Sequence, residues 1–97
     1  MTLNNAQKRQ LKGLANSLKS VLTIGKDGVS PQMYLNLSQA LEAQELVKIN
    51  ILKTSTTTAN EAAIILSSET KSEIVSIVGR VIVLYRPSSK KIISLVK

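Results

Sequence analysis

The chain contains 97 residues, with 13 lysines and arginines against six acids, a net charge of +7 and 43% hydrophobic residues. This length is typical of one compact domain, and the apolar content is too high for a disordered chain. The sequence has neither cysteine nor histidine, which excludes disulfide bridges, thiolate or imidazole metal sites, a thiol nucleophile and a histidine general base.

The first predicted element is an amphipathic helix over residues 5–17, capped by Asn4 or Asn5. Its apolar residues follow the i, i+3, i+4, i+7 spacing and define a buried face: Leu11, Leu14, Ala15 and Leu18. Three lysines lie close together beside this face on the same helical wheel, although the last follows the predicted helix end: Lys8, Lys12 and Lys19. The pattern predicts a lysine stripe on the exposed shoulder of the helix.

A strand, a turn and a second helix follow. Residues 21–24 are apolar, rich in β-branched side chains and stopped by a glycine, which is typical of a strand. After the turn at residues 25–28, Ser30 and Pro31 mark the start of a helix that ends near Ala43. Its buried face is predicted from Met33, Leu37, Ala40 and Leu41, with Tyr34 beside it.

The second half of the chain contains three further strands and one helix. Residues 46–52 alternate apolar and polar, which predicts a strand with one covered face. The Ser/Thr-rich run at 54–58 forms the loop and cap before a third helix over residues 59–68. Two strand-like runs, 73–78 and 81–85, are separated only by Gly79 and Arg80, so we expect a tight antiparallel hairpin. A last apolar run, residues 92–96, is either a short extra strand or a packed tail.

This order, a helix and then β-α-β-α-β-β, predicts an α/β fold. The strand–helix–strand unit makes its two strands parallel, whereas the hairpin is antiparallel. We therefore expect a two-layer sandwich with a mixed four-stranded sheet and the helices on one face. The strand order does not follow from the sequence.

The loop Gly25-Lys26-Asp27-Gly28 is the main candidate site. Glycines permit positive φ and lack the Cβ atom that would keep a phosphodiester away, and free N–H groups at a helix start attract anions. Lys26 adds charge at the tip, whereas Asp27 opposes it and can orient the turn or contact a base or sugar donor. The alternative, that two glycines simply form a turn, stays open.

The charges are segregated along the chain. Residues 1–26 and 74–97 each carry five basic residues and no acid. If both ends meet in space they form one positive face that attracts nucleic acid, although ordinary solubilising lysines are the alternative.

The pair Tyr85-Arg86 could stack on a base through the tyrosine ring or the guanidinium group. The alternative is that Tyr85 belongs to the core. Because Phe and Trp are absent, we expect recognition of backbone and shape rather than stacking on an aromatic platform.

The chain contains four motifs in a fixed order: QKRQLKGLA at 7–15, IGKDG at 24–28, ELVKI at 45–49 and VGRVIVLYRP at 78–87. They resemble the bacterial YhbY-type proteins, stand-alone members of the chloroplast RNA splicing and ribosome maturation (CRM) domain family, over residues 3–96. The resemblance implies one CRM-type RNA-binding domain over residues 1–97, with a fold similar to the C-terminal domain of translation initiation factor 3. It also implies rRNA binding in precursors of the large ribosomal subunit and a role in ribosome assembly.

The candidate RNA contacts come from the resemblance and from the lysine stripe. By resemblance they are Gly25, Lys26, Asp27, Gly28, Lys8, Lys12, Arg80 and Arg86, and the stripe adds Lys19. Asp27 departs from more basic versions of the loop. We expect a cytoplasmic monomer that has RNA as its partner and uses no cofactor, metal, membrane or small-molecule substrate.

Three alternatives to an RNA-binding protein differ in how well the sequence fits them. A chromatin-like DNA-binding protein resembling the archaeal Alba proteins is the alternative function, and a preference for duplex DNA would favour it. Catalysis is not expected, because Glu42 with Glu45, and Glu69 with Glu73, are typical of solvated acids rather than of an acid/base pair. A membrane-surface or protein-interaction module is disfavoured because so small a domain needs the apolar residues of its first helix for the core.

Overall fold

A computed structural model of the chain describes residues 2–97. Its elements are α1 (Asn5–Ala15), β1 (Ser20–Ile24), α2 (Pro31–Gln44), β2 (Leu46–Ile51), α3 (Ala59–Thr70), β3 (Glu73–Val78) and β4 (Val81–Tyr85). The predicted order is confirmed, and each predicted boundary lies within two residues of the observed one. Between residues 2 and 97 no helix has the length and apolar character that a membrane crossing requires.

The sheet has the strand order β1-β2-β4-β3. β1 and β2 are parallel, whereas β4 is antiparallel to both of its neighbours. Ile24 therefore pairs with Ile51, and Asn50 pairs with Val81. The carboxyl ends of β1 and β2 and the β3–β4 turn consequently share one end of the sheet, here named the loop end. The predicted mixed four-stranded sheet and α/β class are confirmed.

The helices lie on both faces of the sheet, so the prediction that they share one face is wrong for α1. α2 and α3 contact each other and cover one face, where Leu41 and Leu66 pack on the sheet. α1 packs on the other face, here named the α1 face, through Leu11 and Ala15. The architecture is therefore three layers rather than two.

Strand β4 explains why the second face needs a cover. All of its residues are apolar, and side chains alternate between the two faces of a strand. Ile82 and Leu84 point toward α2 and α3, whereas Val83 and Tyr85 point toward α1. A strand that is apolar on both faces must be buried on both, and the apolar stripe of α1 supplies the second cover.

Residues 87–97 form a tail without strand geometry that packs on the α1 face. The side-chain amide of Gln7 donates to the carbonyl oxygen of Val96 at 2.9 Å, and that of Gln10 donates to Ser94 at 2.8 Å. The Gln10 side-chain oxygen also accepts from the Val96 N–H at 2.9 Å. Of the two predictions for the last apolar run, the packed tail is confirmed.

Glu45 anchors the start of this tail. It ends α2 with a φ of 66°, and only 1% of its surface is exposed. Its carboxylate accepts hydrogen bonds from the N–H and hydroxyl of Ser88 at 2.7 and 2.8 Å, and from the N–H of Ile93 at 2.7 Å. Burial raises the pKa of Glu45, but these hydrogen bonds outweigh it and hold the pKa below its ordinary value of 4.5. The ionised side chain therefore clamps the tail.

Candidate nucleic-acid interface

Three loops meet at the loop end of the sheet. They are residues 25–30 between β1 and α2, residues 52–58 between β2 and α3, and the hairpin turn at residues 79–80. The N–H of Ile51 donates to the carbonyl oxygen of Arg80 at 2.9 Å, which ties the hairpin turn to the end of β2. Because parallel strands end at the same edge, loops far apart in sequence form one surface here.

The first of these loops is the predicted glycine turn. The N–H of Gly28 donates to the carbonyl oxygen of Gly25 at 3.0 Å, which closes a β-turn. Lys26 and Asp27 occupy its two central positions, and both are exposed. Gly28 has a φ of +74°, the positive region that glycine tolerates best. The turn therefore presents one cation and one carboxylate to solvent.

The two glycines of this turn differ in their surroundings. A Cβ atom on Gly28 would lie 2.5 Å from Thr57 Oγ1 and 3.2 Å from Thr56 Oγ1. Gly28 is buried against the second loop, so it is needed to position the turn. A Cβ atom on Gly25 would meet only Leu52 Cδ1, at an ordinary 3.7 Å. Packing within the protein does not require glycine at this position, and a ligand can approach there.

Each of the three loops places one exposed cation at the loop end. These cations are Lys26, Lys53 and Arg80. A cleft of about 450 Å³ between the second loop and the hairpin turn is lined by Lys53 and Arg80 together with the hydroxyl-bearing Ser55, Thr57 and Thr58. Lys53 was not among the predicted site residues, because it lies between a predicted strand and a Ser/Thr run and was assigned to neither. The signal was its position directly after the second of two parallel strands, at the same edge as the glycine turn.

The predicted lysine stripe is only partly formed by α1. Lys8 and Lys12 lie one turn apart on the helix, whereas Lys19 lies beyond its end, as predicted. Lys12 lines a recess between α1 and the sheet together with Lys48, a residue that sequence analysis placed on the polar side of β2 but did not include in the site. Val81, which follows Arg80 in the chain, lines the same recess. Through this recess, Lys12 is continuous with the loop end.

Arg86 lies at the opposite end of the sheet, so the structure does not bring it together with the other predicted RNA contacts, and its guanidinium group is bonded within the protein. Its Nη1 donates to Ser38 Oγ at 3.1 Å and to the Thr70 carbonyl oxygen at 2.8 Å, and its Nη2 donates to the Ser38 carbonyl oxygen at 2.9 Å. Its Nη2 also lies 3.9 Å from a carboxylate oxygen of Glu42. The guanidinium group is occupied in joining α2 to the end of α3.

Tyr85 belongs to the core, which decides between the two roles considered for it. Only 2% of its surface is exposed, so its ring is not available to stack on a base. Burial raises the pKa of the Tyr85 hydroxyl, and the neighbouring Glu45 carboxylate acts in the same direction. Tyr85 therefore offers no stacking surface at the candidate interface.

The acids leave most of this surface uncompensated. Within residues 2–97, the one ion pair shorter than 4.0 Å joins Arg86 to Glu42. At the loop end the Glu61 carboxylate accepts from the Thr58 N–H at 3.1 Å, and this hydrogen bond lowers the pKa of Glu61. In the described part of the chain, no three acidic side chains come together in a way that could hold a metal ion. Cations without carboxylate partners attract polyanions.

Comparison with known proteins gives the family. Residues 3–86 match the CRS1 / YhbY (CRM) domain. A Bacillus subtilis protein named probable RNA-binding protein YqeI is 35% identical over 88 residues, which are 91% of this chain and 92% of that protein. A Haemophilus influenzae protein named RNA-binding protein is 34% identical over 94 residues, with 97% and 95% covered. A Staphylococcus aureus protein with a solution structure matches with a TM-score of 0.78 and 35% identity, over 97% of this chain and 99% of that one. The chain therefore belongs to the CRS1 / YhbY (CRM) domain family, as its four motifs predicted.

Proposed function

We propose that this protein binds RNA through the loop end and the adjoining part of α1, and that it catalyses no reaction. The observation that carries the proposal is the series of exposed cations Lys12, Lys26, Lys53 and Arg80, which have no carboxylate within 4.0 Å among the described residues. The names of the B. subtilis and H. influenzae relatives support RNA as the polyanion.

The glycine turn suits contact with the phosphate backbone. Gly25 carries no side chain to keep a phosphate away, and Lys26 stands beside it at the exposed tip. At the start of α2, Pro31 has no N–H and the Met33 N–H donates to the Ser30 carbonyl oxygen at 3.0 Å. Because Ser30 makes no side-chain cap, the N–H of Gln32 remains as a donor for a phosphate. Phosphate contacts of this kind fix the register of an RNA without reading its sequence. Asp27 accepts hydrogen bonds only, so its role is toward a ribose hydroxyl or a base amino group.

We expect neutralising this surface to flatten the salt dependence of RNA binding. Each lost phosphate contact removes roughly 0.7 to 0.9 units from the slope of log K against log salt, so the triple variant Lys12→Gln, Lys26→Gln, Arg80→Gln should lose about 2 units. The measurement is a fluorescence-anisotropy titration of a structured rRNA fragment at several salt concentrations.

The control removes three charges from the opposite end of the molecule: Lys71→Gln, Lys90→Gln and Lys91→Gln. All three lysines are exposed, as are the three residues of the test variant. Net charge is then identical in the two variants, and only its location differs. Equal slopes for both triples would contradict the proposed surface, and tighter binding of duplex DNA than of RNA would contradict RNA as the partner.

We further propose that the RNA is rRNA in precursors of the large ribosomal subunit, and that the protein is a cytoplasmic monomer that assists ribosome assembly. Membership in the CRS1 / YhbY (CRM) domain family supports this finer proposal, because the resemblance of the four motifs to that family implies a role in ribosome maturation. In sucrose gradients of cell lysate we expect the wild type and the control triple to migrate with large-subunit precursors and the test triple to remain near the top. If the wild type stays at the top of the gradient, the proposed role in ribosome assembly is contradicted, whereas the proposed RNA binding is not.

A further inference from the structure

α1 covers only half of its face of the sheet. Away from the loop end, Val83 and Tyr85 are buried beneath α1 and the tail. Toward the loop end, one row of paired residues crosses all four strands and lies open or half-open to solvent: Thr23, Asn50, Val81 and Val78. Val78 is 64% exposed, which is unusual for a branched apolar side chain in a strand.

A recess of about 190 Å³ lies where the covered half meets the open half. It is lined by Lys12, Ala15 and Asn16 from α1 and by Lys48, Ser76, Val78, Val81 and Val83 from the sheet. The lining therefore combines aliphatic side chains with two lysines, and an amide and a hydroxyl provide both donors and acceptors. This combination of chemistries in one small recess calls for a ligand that is apolar on its flat faces, polar at its edge and anionic beside it.

The charges at the recess point to the same kind of ligand. Lys12 and Lys48 line it together, none of the lining residues is acidic, and neither lysine has a carboxylate within 4.0 Å among residues 2–97. Two positive charges that line one recess repel each other. A bound anion relieves that repulsion, so the arrangement favours a negatively charged partner.

We propose that this recess binds one unpaired nucleotide of an RNA strand whose phosphates follow the loop end. The inference rests on the proposed function and adds a preference for single-stranded segments. In a duplex the bases are stacked and only their edges are reached through the grooves, whereas an unpaired base can be splayed out of the strand. Its faces then contact the valines, its edge meets Asn16 and Ser76, and its phosphate lies near Lys12 and Lys48. Without an aromatic ring in the recess, the base is held more weakly than on a stacking platform.

The test compares a single-stranded RNA with the duplex that it forms with its complement, at one salt concentration. We expect the double variant Asn16→Ala, Lys48→Gln to lower the ratio of single-strand to duplex affinity by about tenfold, since it removes one base-edge contact and one phosphate contact. The control Asn60→Ala, Lys90→Gln makes the same chemical changes at exposed positions outside the recess, and its ratio should match the wild type.

Photo-crosslinking shows where on the protein the unpaired base binds. A strand containing 4-thiouridine should crosslink to peptides containing residues 12–16 and 76–83 in the wild type, and these crosslinks should be lost in the recess variant. If RNA binds but the recess variant keeps the wild-type affinity ratio and crosslinks, the inference is overturned and the proposed function stands. If the wild type binds neither form of RNA, both fail.

Discussion

Replacing Gly28 by alanine is expected to lower the free energy of unfolding by about 3 kcal/mol, whereas Gly25→Ala should change it by less than about 0.5 kcal/mol. Two effects add at Gly28. A residue with a Cβ at a φ of +74° is strained by roughly 1–2 kcal/mol. The new Cβ would also lie 2.5 Å from Thr57 Oγ1, and relieving that contact requires the second loop to move. Urea unfolding of the two variants measures the difference.

The hairpin turn offers a control that separates the two effects. Gly79 has a φ of +59°, and a Cβ atom added there would meet no other atom within 4 Å, so Gly79→Ala reports the backbone strain alone. We expect it to lower the free energy of unfolding by about 1 kcal/mol. Adding Thr57→Ala to Gly28→Ala should restore part of the loss through coupling between the two sites. If Gly28→Ala proves as stable as Gly79→Ala, the first two loops do not pack as described.

The second large effect is expected at Arg86, where even a change that keeps the positive charge should destabilise the protein. Lysine cannot donate to Ser38 and Thr70 in the forked geometry of a guanidinium group. Hydrogen bonds to charged groups contribute about 1.5–3 kcal/mol, so Arg86→Lys should lower the free energy of unfolding by about 2 kcal/mol. RNA affinity, measured below the melting temperature of the variant, should stay at the wild-type value.

Arg80→Lys is the matched change at the loop end. Arg80 is exposed on the hairpin turn, so its replacement by lysine should leave the unfolding midpoint unchanged. The pair therefore separates an arginine that holds helices together from one that is proposed to meet phosphate. A stable Arg86→Lys variant with weakened RNA binding would return Arg86 to the interface and contradict the structural role.

The helices and strands were predictable because their signals are local. The strand over residues 21–24 stops at a glycine, the second helix starts at Pro31, and Gly79-Arg80 is a two-residue hairpin connection. The sheet face that α1 covers could not be predicted from local signals, because it depends on which strands become central and must be buried on both faces. The continuous apolar run of β4, in retrospect, is the signal that one layer of helices would not suffice.

The candidate site was predictable in outline and not in the roles of single residues. The glycine turn was recognised from its place between a strand and a helix, but only the packing of Thr57 on Gly28 distinguishes its two glycines. Arg86 looked like the other basic residues because its partners, Ser38 and Thr70, are distant in sequence. Lys48 was assigned to the polar side of β2, yet its proximity to Lys12 depends on where α1 lies.

The contact between α1 and the tail also has a topological consequence. The hydrogen bond from Gln7 to Val96 brings the two ends of the described chain side by side on the α1 face. A short linker could therefore join them, and the chain could be reopened in the exposed connection between α1 and β1. In such a circular permutant α1 would be the last element instead of the first, in contact with the same strands. The packing of α1 on the sheet therefore does not require this helix to come first in the chain. The connections among the other six elements are the same whether α1 is the first or the last element.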